Sequence, residues 1–255
     1  MCFDLDSAPP IPPLSGAAVS HEDLVLEAED GNRFAAFAAV PEDAPRAGVV
    51  ILPDVRGLYR FYEELALRFA ERGYAAVAFD YFGRTAGAEK RGEEFEYMPH
   101  VEQVTSQGLQ ADVAASVAYL RSDAGGSVAA VFTVGFCFGG RNSWLAAAFG
   151  HGLAGAIGFY GRPAAGRPDD MPGPIERAHE LQGPILGLMG GDDPGIPVEE
   201  AEAFDRALDE AGVEHEIVVY PGAPHSFFDR KHEEFADASE DAWSRVLAFL
   251  ERYSR

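Results

Sequence analysis

The sequence predicts an α/β fold built on a mainly parallel central sheet, with helices on both faces. Three observations carry that prediction. Short, uninterrupted apolar runs recur along the chain, as strands buried on both faces require. Segments with helical periodicity lie between those runs, and such strand–helix units imply right-handed crossovers. Near the N-terminus, the turn signal Asp30-Gly31-Asn32 joins two strand-like runs into an antiparallel hairpin.

The elements follow in order. Residues 1–20 begin "MCFDLDSAPPIPPLSG", acidic and proline-rich, and are expected as an extended arm. They lack the basic start and apolar core of a secretory signal. Residues 21–255 then form a single domain. The hairpin strands fall at 23–29 and 33–40. Strands are expected at 48–53, 75–79, 128–134, 154–159, 184–189 and 214–220. The helix over 61–72 stops at Gly73, and the next stripes Leu109, Val113, Val117 and Leu120. A helix follows over 141–150. Another opens after Pro197 with acids and closes at Gly212, and the last covers 232–253. About two dozen residues between the strands at 154–159 and 184–189 leave no room for a large cap domain.

Composition limits the partners. A formal charge of −22 excludes nucleic acid and anionic membrane surfaces as natural ligands. The longest apolar run, 128–138, is too short to span a bilayer. Two cysteines, Cys2 and Cys137, make no disulfide framework and suggest a reducing, cytoplasmic compartment. A small-molecule substrate and a monomer or small homo-oligomer are expected. No metal is expected, because no His, Cys and Asp cluster has zinc-like spacing. No cofactor is expected either: the glycines at 135, 139 and 140 fit neither a dinucleotide nor a phosphate-loop fingerprint.

In parallel sheets, chemistry gathers where loops leave the C-terminal ends of strands. Three such loops stand out. The strand at 128–134 runs into "GFCFGG", where glycines two positions before and after Cys137 allow a sharp turn into a helix. Helix amides favour a thiolate there, and the Phe138 N–H can meet a developing oxyanion. The second loop, "GGDDPGIP", offers an acid that could orient a histidine, or a simple turn and cap. The third, "PGAPHSF", holds His225, which of the seven histidines sits between the last strand and the last helix. Nucleophile, acid and base in that chain order form a triad pattern.

With these residues in hand, the chain resembles the dienelactone hydrolase family of α/β-hydrolases from about residue 22 to its end. "ILPDVRGL", "GYAAVAFDYFGRTAG", "GFCFGG", "MGGDDPGIP" and "PGAPHSF" match family motifs in order. The resemblance implies an ester or lactone hydrolase with Cys137 as nucleophile, His225 as base and acid, and Asp193 as the histidine's orienter. Asp193 rather than Asp192 follows from the family's acid preceding a proline by four positions, here Pro197. Asp54 stands where the family has an acid, usually glutamate, that helps hold or deprotonate the thiol. The Val55 N–H would complete the oxyanion hole with Phe138. Family members that open dienelactone hold the substrate carboxylate with two arginines. One matches Arg84, which is equally readable as structural. The other position is Asp229, so Arg230 or Arg56 would have to substitute if the substrate is anionic. The polar stretch 83–100 is expected either to fold over the site with Tyr97, Met98 or His100, or to be a surface loop. A thiol sensor without turnover and a vestigial scaffold are the rival readings.

Overall fold

Every residue of the five central strands is buried, which is why the sequence shows continuous apolar runs rather than alternation. The computed structural model describes residues 3–164 and 172–254; Cys2 lies outside them. Eight strands form one sheet in the order β1-β2-β4-β3-β5-β6-β7-β8. They are β1 (Val19–Glu27), β2 (Arg33–Pro41), β3 (Ala47–Leu52), β4 (Tyr74–Phe79), β5 (Val131–Phe136), β6 (Gly155–Phe159), β7 (Ile185–Gly190) and β8 (His215–Tyr220). Strand β2 runs antiparallel to both β1 and β4, and the remaining pairs are parallel.

Among the described residues, seven α-helices accompany them: α1 (Arg60–Ala70), α2 (Gly83–Ala86), α3 (Met98–Val101), α4 (Ser106–Arg121), α5 (Phe138–Ala146), α6 (Val198–Ala211) and α7 (Ala236–Tyr253). Alternate residues of a strand face opposite sides of the sheet, and the core divides accordingly. Val49 and Ile51 pack with Phe61, Leu65 and Phe69 of α1 and with Val246 and Leu250 of α7. Val50 and Leu52 pack with Leu109, Val113 and Leu120 of α4. Beneath β6 and β7, Trp144 of α5 meets Phe204 of α6 at 4.9 Å, and its indole N–H donates to the Leu186 carbonyl. No cap domain stands among the described residues, the β6–β7 connection showing only a 3₁₀ turn at Ala178–Glu180. Nor is any described helix long and apolar enough to cross a membrane.

The N-terminal segment lies against this body. Phe3, Ser7 and Ile11 are buried, and the Phe3 ring stacks on Phe61 at 4.0 Å.

Candidate active site

The register of the parallel strands sets the site. Leu52 of β3 pairs with Gly135 of β5, so the turns that follow these two strands emerge side by side. The chain leaves β5 through Cys137, whose backbone sits at φ 55° and ψ −115°, a region costing on the order of 1–3 kcal/mol. Its N–H donates to the Phe159 carbonyl at the end of β6, and its carbonyl accepts from the Gly140 N–H, each at 3.0 Å. The flanking glycines are demanded by contact. A Cβ on Gly135 would stand 2.0 Å from the Gly139 carbonyl oxygen, and one on Gly139 would stand 2.1 Å from that of Leu52. Helix α5 therefore begins at Phe138, three residues earlier than the sequence suggests.

His225 and Asp193 come from the loops after β8 and β7. Backbone bonds from Gly191 to Tyr220 and from Asp192 to Ala223 stitch those loops together. His225 Nδ1 lies 2.5 Å from Asp193 Oδ2, with the two side chains 11% and 2% exposed. The other carboxylate oxygen accepts from the Gly195 N–H at 2.8 Å. Burial alone would push the Asp193 carboxyl up; the hydrogen bond and charge of His225, with the Gly195 amide, outweigh it and hold the group below its ordinary value. The Asp192 side chain is exposed. Tyr160, directly after β6, lays its ring against His225 at 4.9 Å. It follows the Phe159 carbonyl that binds the cysteine N–H, and so links the histidine to the elbow.

Asp54 and Arg56 occupy the turn after β3, both buried. The guanidinium grips the carboxylate bidentately, Nε to Oδ1 at 3.1 Å and Nη2 to Oδ2 at 2.7 Å, over the face of Tyr59 at 5.1 Å. The same carboxylate accepts from the Arg56 N–H, and the Asp54 carbonyl from the Gly57 N–H, so this residue also makes the turn. Within that turn the Val55 N–H, like the Phe138 N–H, finds no acceptor among the described residues. Tyr81 spans the two turns. Its hydroxyl donates to the Pro53 carbonyl at 2.6 Å and its ring meets Phe138 at 5.3 Å. Burial raises its phenol first, and the negative charges of Asp54, an ionised Cys137 and Asp80 add to that rise.

The other expected arginines are engaged elsewhere. Arg84 reaches Asp112 Oδ2 at 2.5 Å and Asp30 Oδ2 at 2.6 Å, and Arg230 donates to the Pro9 carbonyl. Asp229 is buried and accepts from Ser7. In the stretch 83–100, His100 bonds Thr85 and stacks on Phe95, Met98 is exposed, and Tyr97 packs partly buried against the core on the α4 side of the sheet. Arg91 anchors this stretch by a pair with fully buried Asp80, a contact that no motif marked. Tyr160 was likewise missed, although its place after a buried strand could have flagged it. Away from the elbow, a groove lined by Pro184, Glu214, Arg245 and Tyr253 lies at the other ends of β7 and β8. Asp205, Asp209 and His215, on α6 and β8, have ligand atoms within 4.8 Å of one another, and none belongs to the expected site.

A mainly parallel sheet in this order, with a strained elbow after its fifth strand and no cap among the described residues, makes the molecule an α/β-hydrolase. Comparison with known proteins narrows the class. The model of the dienelactone hydrolase family matches residues 34–254. A protein of Escherichia coli K12 named "Putative carboxymethylenebutenolidase" is 32% identical over 261 residues, covering 96% of this chain and 94% of its own. One of the same name from Saccharolobus solfataricus is 29% identical over 89% of this chain and 96% of its own. A crystal structure titled as a dienelactone hydrolase from Klebsiella pneumoniae superposes with a TM-score of 0.82 at 28% identity, covering 92% of this chain and all of the other. The chain belongs to the dienelactone hydrolase family, whose members are carboxylic ester hydrolases.

Proposed function

We propose that this enzyme hydrolyses a small ester or lactone in two steps through a thioester on Cys137. His225 takes the thiol proton at Nε2 while Nδ1–H stays on Asp193. The sulfur adds to the substrate carbonyl carbon, and the Phe138 and Val55 amides receive the oxyanion. Collapse breaks the carbon–oxygen bond, and the departing alkoxide takes the proton from His225. Water, losing a proton to His225, then attacks the thioester; the acid leaves and the thiolate is regenerated. Preorganised donors of this kind contribute about 3–4 kcal/mol each to acyl transfer.

Asp54 we assign to holding Arg56 rather than to taking the thiol proton, because both its oxygens already face the guanidinium. Arg56, held by Asp54 and the Phe3 carbonyl, is engaged like Arg84 and Arg230, so the reading needs no arginine clamp and extends to uncharged esters and lactones. The relatives' printed name points to an unsaturated lactone as the first substrate to try. Cysteine usage supports a cytoplasmic location.

The 2.5 Å contact between His225 and Asp193, with Tyr160 packed on the imidazole and following the Phe159 carbonyl that binds the Cys137 N–H, supports this reading. Its test is a panel of lactones, esters and thioesters run with the wild type, Cys137→Ala and His225→Ala. Turnover in the wild type alone is expected. Equal rates in all three proteins would sink the mechanism, and alkylation of Cys137 without any turnover would leave a thiol-binding protein instead.

A further inference from the structure

Residues 3–9 carry no motif and no regular structure, yet they touch both loops that flank the cysteine elbow. On one side, the Phe3 carbonyl accepts from Arg56 Nη1, while the other guanidinium nitrogens hold Asp54. On the other, Ser7 Oγ donates to Asp229 Oδ2 at 2.5 Å, with both residues buried. The next residue joins in: the Arg230 N–H donates to the Ala8 carbonyl at 3.0 Å, and its guanidinium reaches the Pro9 carbonyl at 3.2 Å. Lys231 Nζ lies 2.5 Å from Asp6. Between these anchors the Phe3 ring meets Tyr160 edge-on at 6.3 Å, and Tyr160 in turn packs on His225.

Asp229 sits four residues beyond His225, in the same loop. A carboxylate that is 2% exposed has lost its water and must find donors in the protein. Part of its hydrogen bonding comes from a hydroxyl 222 positions away. The loop that carries the histidine is therefore registered against the N-terminal segment, and the same segment fixes Arg56 against Asp54. Pro53, which precedes Asp54, has its carbonyl where a Cβ on Gly139 would stand, so the pair borders the elbow itself.

We propose that Phe3 and Ser7 are positioning residues of the active site, holding the His225 loop and the Asp54–Arg56 pair in fixed relation to Cys137. The inference rests on the hydrolytic reading for the role of His225. Without the Phe3 ring, which packs on Phe61 and Tyr160, the main-chain carbonyl that Arg56 Nη1 donates to is no longer held in place; the guanidinium loosens from Asp54, and a less compensated carboxylate bordering the elbow raises the pKa of its thiol. Freed from Ser7, the histidine loop loses its register, which costs kcat rather than substrate binding.

The test uses the full-length enzyme in a Cys2→Ser background, so that Cys137 alone reports. Steady-state turnover of p-nitrophenyl acetate and the pH dependence of iodoacetamide alkylation are measured for the parent, Ser7→Ala, Asp229→Asn, their double variant, Phe3→Ala and Phe3→Leu. Ser7→Ala is expected to lower kcat about ten-fold, with KM unchanged within about two-fold. The double variant should lose less than the two single losses added together, because both substitutions act on the Ser7–Asp229 contact, Asp229 also accepting from the Lys231 N–H. Phe3→Ala should move the alkylation midpoint up by about half a pH unit, and Phe3→Leu by less. Parental kcat in a folded Ser7→Ala, or a parental midpoint in a folded Phe3→Ala, overturns the proposal. Should Phe3→Ala fail to fold, kcat of Ser7→Ala decides. A parent enzyme that turns over no ester removes the hydrolytic reading, and the alkylation midpoint then decides on Phe3 by itself.

Discussion

Replacing Asp193 by asparagine probes the site at one atom. The carboxylate has two engaged oxygens: Oδ1 accepts from the Gly195 N–H and Oδ2 faces His225 Nδ1. An amide can replace only one of them with an acceptor. Gly195 offers a hydrogen and needs oxygen, so the NH2 group turns toward His225. Nδ1 must then give up its hydrogen and accept, and the proton moves to Nε2. The imidazole is left unable to take a proton from the thiol or from water.

The magnitude follows from burial. The acid is 2% exposed and the imidazole 11%, so water cannot stand in for the lost partner. Breaking a buried charged pair costs about 3–5 kcal/mol, which corresponds to about 10²–10⁴ in rate. The assay is kcat and KM on the best substrate of the panel, with Asp192→Asn as the control. Expected are a collapse of kcat in Asp193→Asn, little change in KM, and near-normal rates for the control, whose side chain is exposed. An Asp193→Asn enzyme within about three-fold of the wild type, or a control equally impaired, would refute the assignment.

Two further outcomes follow from buried charge. Arg56→Ala leaves the Asp54 carboxylate buried without its guanidinium; urea titration should give a loss of about 3–5 kcal/mol, largely recovered when Asp54→Asn is added. Asp112 is pushed up to about 6, first by burial and against the pull of Arg84 and Asn32. Its folded value lies above the unfolded one, so the protonated form stabilises the fold at low pH. That contribution is full below about pH 4 and fades as pH rises through 6, a loss of about 1 kcal/mol between about pH 5 and pH 7.5. Urea titrations at the two pH values should show this slope in the wild type, and Asp112→Asn should flatten it.

The sheet was legible because burial on both faces writes an unbroken apolar run, and β3, β4, β6 and β7 begin and end within one residue of the expected positions. Strand β5 begins later than expected, at Val131 rather than 128. Ser127 turns at φ 53°, and Val128 packs against α4 before the strand starts. The contact of His225 with Asp193 was legible because both lie in loops that leave strand ends, as Cys137 does. Arginine partners were not. Arg84 is held by Asp30 and Asp112, 54 and 28 positions away, and such a pairing leaves no local mark. Nor does proline-rich, acidic composition tell an arm that packs from one that does not; the aromatic ring of Phe3 was the sole hint.

Backbone strain gives a line of argument independent of any motif. Four non-glycine residues among those described have positive φ, and three of them are Cys137, Tyr160 and Ser226. Each such conformation costs on the order of 1–3 kcal/mol and persists only where the surroundings fix it by several contacts at once. These three follow β5, β6 and β8 in turn, and Ser226 is the neighbour of His225. A fold selected for stability alone would relax them, since a glycine at any one would relieve its strain. Their meeting at one end of the sheet supports a site whose groups are held against their local preferences. It also explains why an unmarked N-terminal segment matters there: the strained turns need fixed neighbours, and the bonds from Phe3, Ser7, Ala8 and Pro9 supply some of them.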